Sequence, residues 1–198
     1  MAAAVAVLRT EGFAAATARH VAARAGCNQG LVFYHFGSVN ELLLSAMDQV
    51  SAERRARYDA AIASVHAPSE LVELAVRIFT EDVASGDATL LVEMIAGSVS
   101  NPELGAAVKA RVEPWSEFAT DALASAFASS PLLGIVGADE LAYSVVALYL
   151  GLELLSHLDG DTTKAIAVFD RARSLAALAD VLATTTAPAT DPHRKAST

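Results

Sequence analysis

Cysteine is almost absent. A single Cys27 among 198 residues excludes an internal disulfide and any cysteine-based metal cluster. Aromatic residues are also scarce, at 6% of a chain that is 54% apolar; alanine supplies much of the difference, which favours helices over strands. No apolar run reaches membrane-spanning length without a charge or a turn signal. Met1 to Leu8 is short and lacks a basic lead, so neither a spanning segment nor an export signal is expected, and the predicted location is the cytoplasm. His20, His35, His66, His157 and His193 are scattered, and none forms a paired metal motif on one helix turn. There is no glycine-rich phosphate loop and no Gly-x-Ser-x-Gly turn. The sequence therefore predicts no enzyme, no metal and no cofactor.

Positive charge is thin and unevenly placed. Residues 1–60 hold six Arg and five acidic residues, whereas residues 61–198 hold eight basic and eighteen acidic residues, and the whole chain carries a net charge of -9. Only the N-terminal part has a charge balance that suits a polyanion. Even there, Arg9, Arg19 and Arg24 are the only basic residues before Arg54, and no lysine precedes Lys109. Neutralised phosphates release counterions and drive much of the affinity for nucleic acid. A sparse footprint predicts weak or shallowly salt-dependent binding.

What is present is concentrated in Thr17 to Phe36, T-A-R-H-V-A-A-R-A-G-C-N-Q-G-L-V-F-Y-H-F. Thr17 suits the cap of a first short helix, whose Val21, Ala22 and Ala25 recur at helical spacing. Gly26 suits its end, because a residue without Cβ enters the left-handed conformation cheaply. Asn28 suits the cap of a second helix, with Gln29 and Gly30 in its first turn, where free amides and the positive dipole end face outward. Two short helices meeting at so small a gap make a helix-turn-helix, and the second would be the reader.

The run Ala25-Gly26-Cys27-Asn28-Gln29-Gly30-Leu31-Val32-Phe33-Tyr34-His35-Phe36, followed by Ser38 and Leu42-Leu43, resembles the signature of TetR-family transcriptional regulators. The resemblance implies that Gln29, Gly30 and Leu31 face bases. It implies further that Thr17, Asn28, Phe33, Tyr34 and His35 face the DNA backbone or groove wall, and that Phe36 takes a core position. Arg19, one of the few basic side chains in this unit, joins the candidate DNA contacts. Two positions depart from the family pattern: Val39 stands where a lysine is usual, and Phe33 where tyrosine is frequent. The implied function is a ligand-responsive, DNA-binding regulator, a repressor that binds a palindromic operator as a dimer. The alternative is a helical ligand- or protein-binding module of the same fold with weakened DNA binding, which Val39 and the sparse basic residues favour.

The remainder predicts an all-α chain, with a three-helix helix-turn-helix domain over residues 1–38. A larger helical ligand-binding and dimerisation domain is expected over 39–183, and a flexible tail over 184–198. Ala2 to Thr10 reads as the first helix, with Val5, Val7 and Leu8 available for burial and Phe13 anchoring the small core. Ser38-Val39-Asn40-Glu41 is a capping box. It opens a fourth helix in which Leu43, Met47 and Val50 fall at i, i+4, i+7, running to about Ser64 and closed by Pro68. Helices follow over Ser69 to Ala84, with Leu71, Leu74, Ile78 and Val83 on one face, over Thr89 to Val99, and from Glu103 to about Phe127. Pro114 is expected to kink or divide the last of these, and Ser129-Ser130-Pro131 is a loop.

Ala138 to Leu158 is apolar on nearly every side and demands cover on all faces. Thr163 to Leu182 carries a second stripe through Ile166, Phe169, Leu175 and Leu178. These two helices form the expected homodimer seam. A small-molecule effector pocket is expected among the middle helices. Phe79, Glu93, Met94, Trp115, Phe118, Tyr143 and Tyr149 are the candidate contacts, with Arg77 and His157 beside them. Each also has a plainer reading as packed core or solvated surface.

Overall fold

The computed structural model describes residues 1–128 and 137–186. Among these, every regular element is a helix. They are α1 (Ala2–Glu11), α2 (Ala18–Arg24), α3 (Gln29–Phe36), α4 (Val39–Ile62), α5 (Pro68–Ser85), α6 (Asp87–Ser98), α7 (Pro102–Ala126), α8 (Ala138–Asp159) and α9 (Thr163–Thr186). A single 3-10 turn, Phe13–Ala15, joins α1 to α2.

Local chemistry sets most of the boundaries. Ser38 Oγ accepts the Glu41 amide at 3.1 Å and starts α4; Asn101 Oδ1 accepts the Leu104 amide at 3.1 Å and starts α7, each satisfying a donor the helix cannot. Pro68 does not close the fourth helix as expected: α4 ends at Ile62, and Pro68 is the first residue of α5. Proline lacks the amide that a first turn leaves unpaired anyway, and it pushes the preceding Ala67 into extended backbone, so it is better at opening a helix than at closing one. Pro114 does not divide α7, which runs on through it; the carbonyl of Pro114 accepts from Arg55 Nη1 at 3.1 Å. The last helix extends past Leu182 to Thr186, so residues 184–186, expected in the tail, are helical. The rest of that tail and the Ser129-Ser130-Pro131 loop lie outside the described residues.

Three packed clusters hold the helices. The first joins α1, α2 and α3 to the N-terminal half of α4 through Val7, Leu8, Val21, Val32, Leu43 and Met47, and it continues without a gap into Leu90 and Met94 of α6 and Leu104 and Val108 of α7. Phe13 and Phe36 pack at its edge. The second gathers Phe79, Leu152 and Phe169 from α5, α8 and α9. The third seats Leu74 against Val65 and Ala126. Val83, expected on the buried face of α5, is exposed.

The helix α8 is long and apolar enough by composition to cross a membrane, with a mean hydropathy of 1.5 over its best window. Its packing argues for another use. It lies against α6, α7 and α9, and it brings Tyr149 and the buried Glu153 to a polar cluster inside the protein.

Candidate functional site

The reader is built from two caps and a turn. Thr17 Oγ accepts the His20 amide at 3.2 Å and starts α2. Gly26 takes φ of +68°, a conformation in which a Cβ is costly. Asn28 Oδ1 then accepts the Gly30 amide at 2.7 Å and starts α3. Val32 is the only buried residue of α3; with the half-buried Phe36 it holds the helix to the core, and the residues from Gln29 to His35 other than Val32 are exposed. Gln29, Gly30 and His35 are exposed, as are Leu31, Phe33 and Tyr34, the last at 81%. A row of large apolar and polar side chains in solvent, next to free N-terminal amides, is unfavourable for an isolated surface and suited to a groove.

Charge at this surface is thinner than the count of arginines suggests. Glu11 accepts from Arg24 Nη1 and contacts His20 Nε2, both at 2.7 Å. Arg9 points away from the reader and pairs with Asp87 of α6. Among the described residues of this unit, Arg19 alone is an exposed arginine with no ion pair. The pairing of Arg9 and Arg24 was not visible in the sequence, because Asp87 lies 78 residues from its partner and Glu11 on a different helix.

The same unit is fastened to the body of the protein at α6. Asp87 takes both Arg9 and Arg57, and Glu93 Oε2 accepts the Phe13 amide at 2.7 Å. The Phe13 ring lies on the bare backbone of Gly97, where an added Cβ would stand 2.4 Å from it.

Behind the reader, a cavity of about 550 Å³ opens between α4, α5, α7, α8 and α9. Of the candidate effector contacts, Trp115, Phe118 and Tyr149 line it. Four other candidates do not. Phe79 is fully buried behind the wall, edge-on to Tyr149 with ring centroids 6.0 Å apart. Met94 belongs to the core beneath the helix-turn-helix, Glu93 holds Phe13, and Tyr143 is 77% exposed on the outside of α8. Helical spacing gives a side chain's phase on its own helix but not which neighbour that face meets, and these four show the difference.

One corner of the cavity is polar, and sequence reasoning missed it. Arg54 of α4 donates to the fully buried Asp82, which also accepts from the Tyr149 hydroxyl. The Arg54 guanidinium lies 4.5 Å from the centre of the Trp115 ring, and Trp115 Nε1 donates to Ser51 Oγ at 2.8 Å. A signal existed: Arg54 continues the buried face of Leu43, Met47 and Val50 at the next helical repeat. Burial holds the Asp82 carboxyl above the usual carboxylate range against the pull of Arg54, and burial followed by the charge of Asp82 raises Tyr149.

Glu153, one turn further along α8, is pushed up to about 7, first by burial and then by Asp82. A carboxyl shifted upward is penalised where it is ionised, so its contribution to stability falls as pH rises from the ordinary glutamate range through about 7. Glu153→Gln is expected to stabilise the fold by about 1–3 kcal/mol at pH 8 and by little at pH 5. Unfolding measured at both values checks this, and an equal change at the two would refute it.

An exposed, capped second helix set on a small core and backed by a helical body with an apolar cavity defines the class: a helix-turn-helix regulator. Residues 1–46 match the profile of bacterial regulatory proteins of the tetR family. Over these residues the chain carries that family's helix-turn-helix unit, and its fold is that of TetR-family regulators of known structure. It is similar to a protein described as a TetR-family transcriptional regulator from Rhodococcus sp., at 20% identity and a TM-score of 0.74, covering 88% of this chain and 94% of that one. It is similar also to a TetR-family member from Streptomyces coelicolor A3, at 27% identity and a TM-score of 0.62, covering 86% and 94%. A third likeness is the multidrug binding protein EbrR, solved with imidazole, at 25% identity and a TM-score of 0.59, covering 86% and 90%. No curated protein matches the chain.

Proposed function

We propose that this protein is a cytoplasmic, ligand-responsive repressor that binds a palindromic operator as a homodimer. The observation that carries the reading is the outward projection of α3, with Val32 alone buried and Tyr34 in solvent. In this reading residues 1–38 form the DNA-binding unit and residues 39–183 the ligand-binding and dimerisation unit, with α4 belonging to both. Gln29, Gly30 and Leu31 face base edges. Thr17, Arg19, Asn28, Phe33, Tyr34 and His35 position them against the backbone.

The dimer forms through α8 and α9, whose outer faces leave Tyr143, Leu155, Leu158 and Leu178 exposed. So continuous an apolar stripe is rarely left to solvent. Pairing it with its twofold copy sets two readers roughly 34 Å apart, on successive major grooves. The effector is a mainly apolar molecule bound against Trp115, Phe118 and Tyr149. It acts by favouring one spacing of the two readers, through differential affinity for the two states.

Selection of bound fragments from random double-stranded DNA tests the reading: a palindromic consensus is expected, and the absence of any enrichment would defeat it. On the selected site, Gln29→Ala is expected to change sequence preference, since Gln makes a bidentate contact to adenine, while Tyr34→Ala weakens all sites alike. With Arg9 and Arg24 engaged internally, the slope of log affinity against log salt should be shallow, roughly -2 to -4. A slope of about -7 or steeper would show a phosphate footprint that these residues do not supply. The second reading, a ligand- or protein-binding module with weakened DNA affinity, is favoured by the same ion pairs, and failure of the DNA selection would leave it standing.

A further inference from the structure

We propose that the chain carries a second ligand site, separate from the large apolar cavity, which takes an alkylamine cation between α6 and α8. A cavity of about 440 Å³ lies there. Glu153 and Ser156 form its buried floor, Thr89 and Glu93 stand on its α6 wall, and the exposed His157 and Asp161 stand at its mouth.

The charge of this space is one-sided: among the described residues three carboxylates line it, and no lysine or arginine does. An acidic group at a surface would say little. Glu153 is different, because it is only 5% exposed and yet its Oε1 has no hydrogen-bond partner. Buried polar atoms are satisfied in the great majority of cases, so an orphaned carboxylate oxygen on a residue that lines a cavity marks a place for a donor from outside the chain.

The nearby charges do not fill that role. From α4, Arg54 is committed to Asp82 and covered by Trp115; from α5, Asp82 adds negative charge; from α8, the Tyr149 hydroxyl is shared between Asp82 and Glu153, and Glu153 Oε1 is still without a partner. Among the described residues no group of three His, Cys, Asp or Glu side chains is arranged to hold a metal ion. The space is also many times the roughly 30 Å³ share of a single water. Carboxylates spread over floor, wall and mouth, with apolar side chains between them, suit a chain with an ammonium at one or both ends. An occupant reaching Glu93 meets the residue that holds the Phe13 amide, and so touches the joint to the helix-turn-helix.

Because burial and Asp82 raise Glu153 to about 7, the carboxyl is protonated at acid pH, where a cation must displace that proton, and is ionised and ready to pair with a cation above neutrality. Calorimetric titration of the full chain at pH 8 with 1,4-diaminobutane, against 1,4-butanediol as its uncharged counterpart, tests the proposal without DNA. Saturable binding of the diamine and not of the diol is expected. It should be weaker by at least about tenfold at pH 6 and in Glu153→Gln. Asp161→Asn, whose side-chain oxygen can still accept the Thr163 amide as Asp161 Oδ1 does at 2.8 Å, should weaken it about two- to fivefold. The proposal is overturned if the diamine gives no saturable heat, if the diol binds as well, or if affinity is unchanged in Glu153→Gln. Should Glu153→Gln fail to fold, unchanged affinity at pH 6 and in Asp161→Asn overturns it equally.

Discussion

Asp82→Ala is expected to destabilise the fold by about 3–5 kcal/mol, because it leaves the buried Arg54 guanidinium without its counter-charge. Asp82 has no exposed surface, Arg54 is largely covered, and the Tyr149 hydroxyl loses Asp82 as an acceptor in the same change. For a chain of this length that corresponds to a fall in melting temperature of roughly 6–20 °C, read at fixed protein concentration since any dimer adds a concentration term. The cost belongs to the orphaned charge and not to the ion pair as such. Replacing both partners, Arg54→Leu with Asp82→Leu, should therefore recover most of the loss, as apolar substitutes for buried pairs often do. A loss under about 1 kcal/mol for the single variant would mean that Arg54 finds water or another acceptor, and that this corner is more open than its burial implies.

The second large effect concerns assembly. Leu178→Glu places a carboxylate on the exposed stripe of α9. Across a twofold seam each substitution appears twice, so two charges enter an apolar contact together and each lacks a partner. Light scattering should find a 20.5 kDa particle in place of the particle of twice that mass expected of the parent chain. Operator affinity should fall by at least about 100-fold, because a single reader loses the gain from a tethered second one. A variant that remained dimeric with full affinity would place the seam elsewhere. Leu155→Glu on α8 distinguishes a local repacking of α9 from loss of the whole contact.

Short-range chemistry is what the sequence displayed best. Thr17, Asn28 and Ser38 cap the helices they were expected to cap, and Gly26 takes the left-handed turn, because each depends on residues two or three positions away. The faces of α1 and α4 were legible for the same reason: Val7, Leu8, Leu43 and Met47 repeat at helical spacing and are buried. Long-range partners were not. Met94 and Phe79 carry the apolar character of pocket residues, yet one supports the helix-turn-helix and the other backs the cavity wall. Arg54 was on view within the buried stripe of α4, but its meaning depended on Asp82, 28 residues away. Pro68 was misplaced because proline punctuates at both ends of a gap, and only the position of Ala67 in extended backbone shows which side it serves.

The contact of Phe13 with Gly97 restricts how α6 can move against the amino-terminal unit. Successive residues of a helix are set about 100° apart around its axis, and the neighbours of Gly97 are Ala96 and Ser98, both with a Cβ. If α6 were to spin in place, one of these would be driven into a ring that already touches bare backbone. The contact therefore acts as a key in a shaft: it opposes rotation of α6 about its own length and sets no such bar to a tilt or slide that keeps Phe13 on Gly97.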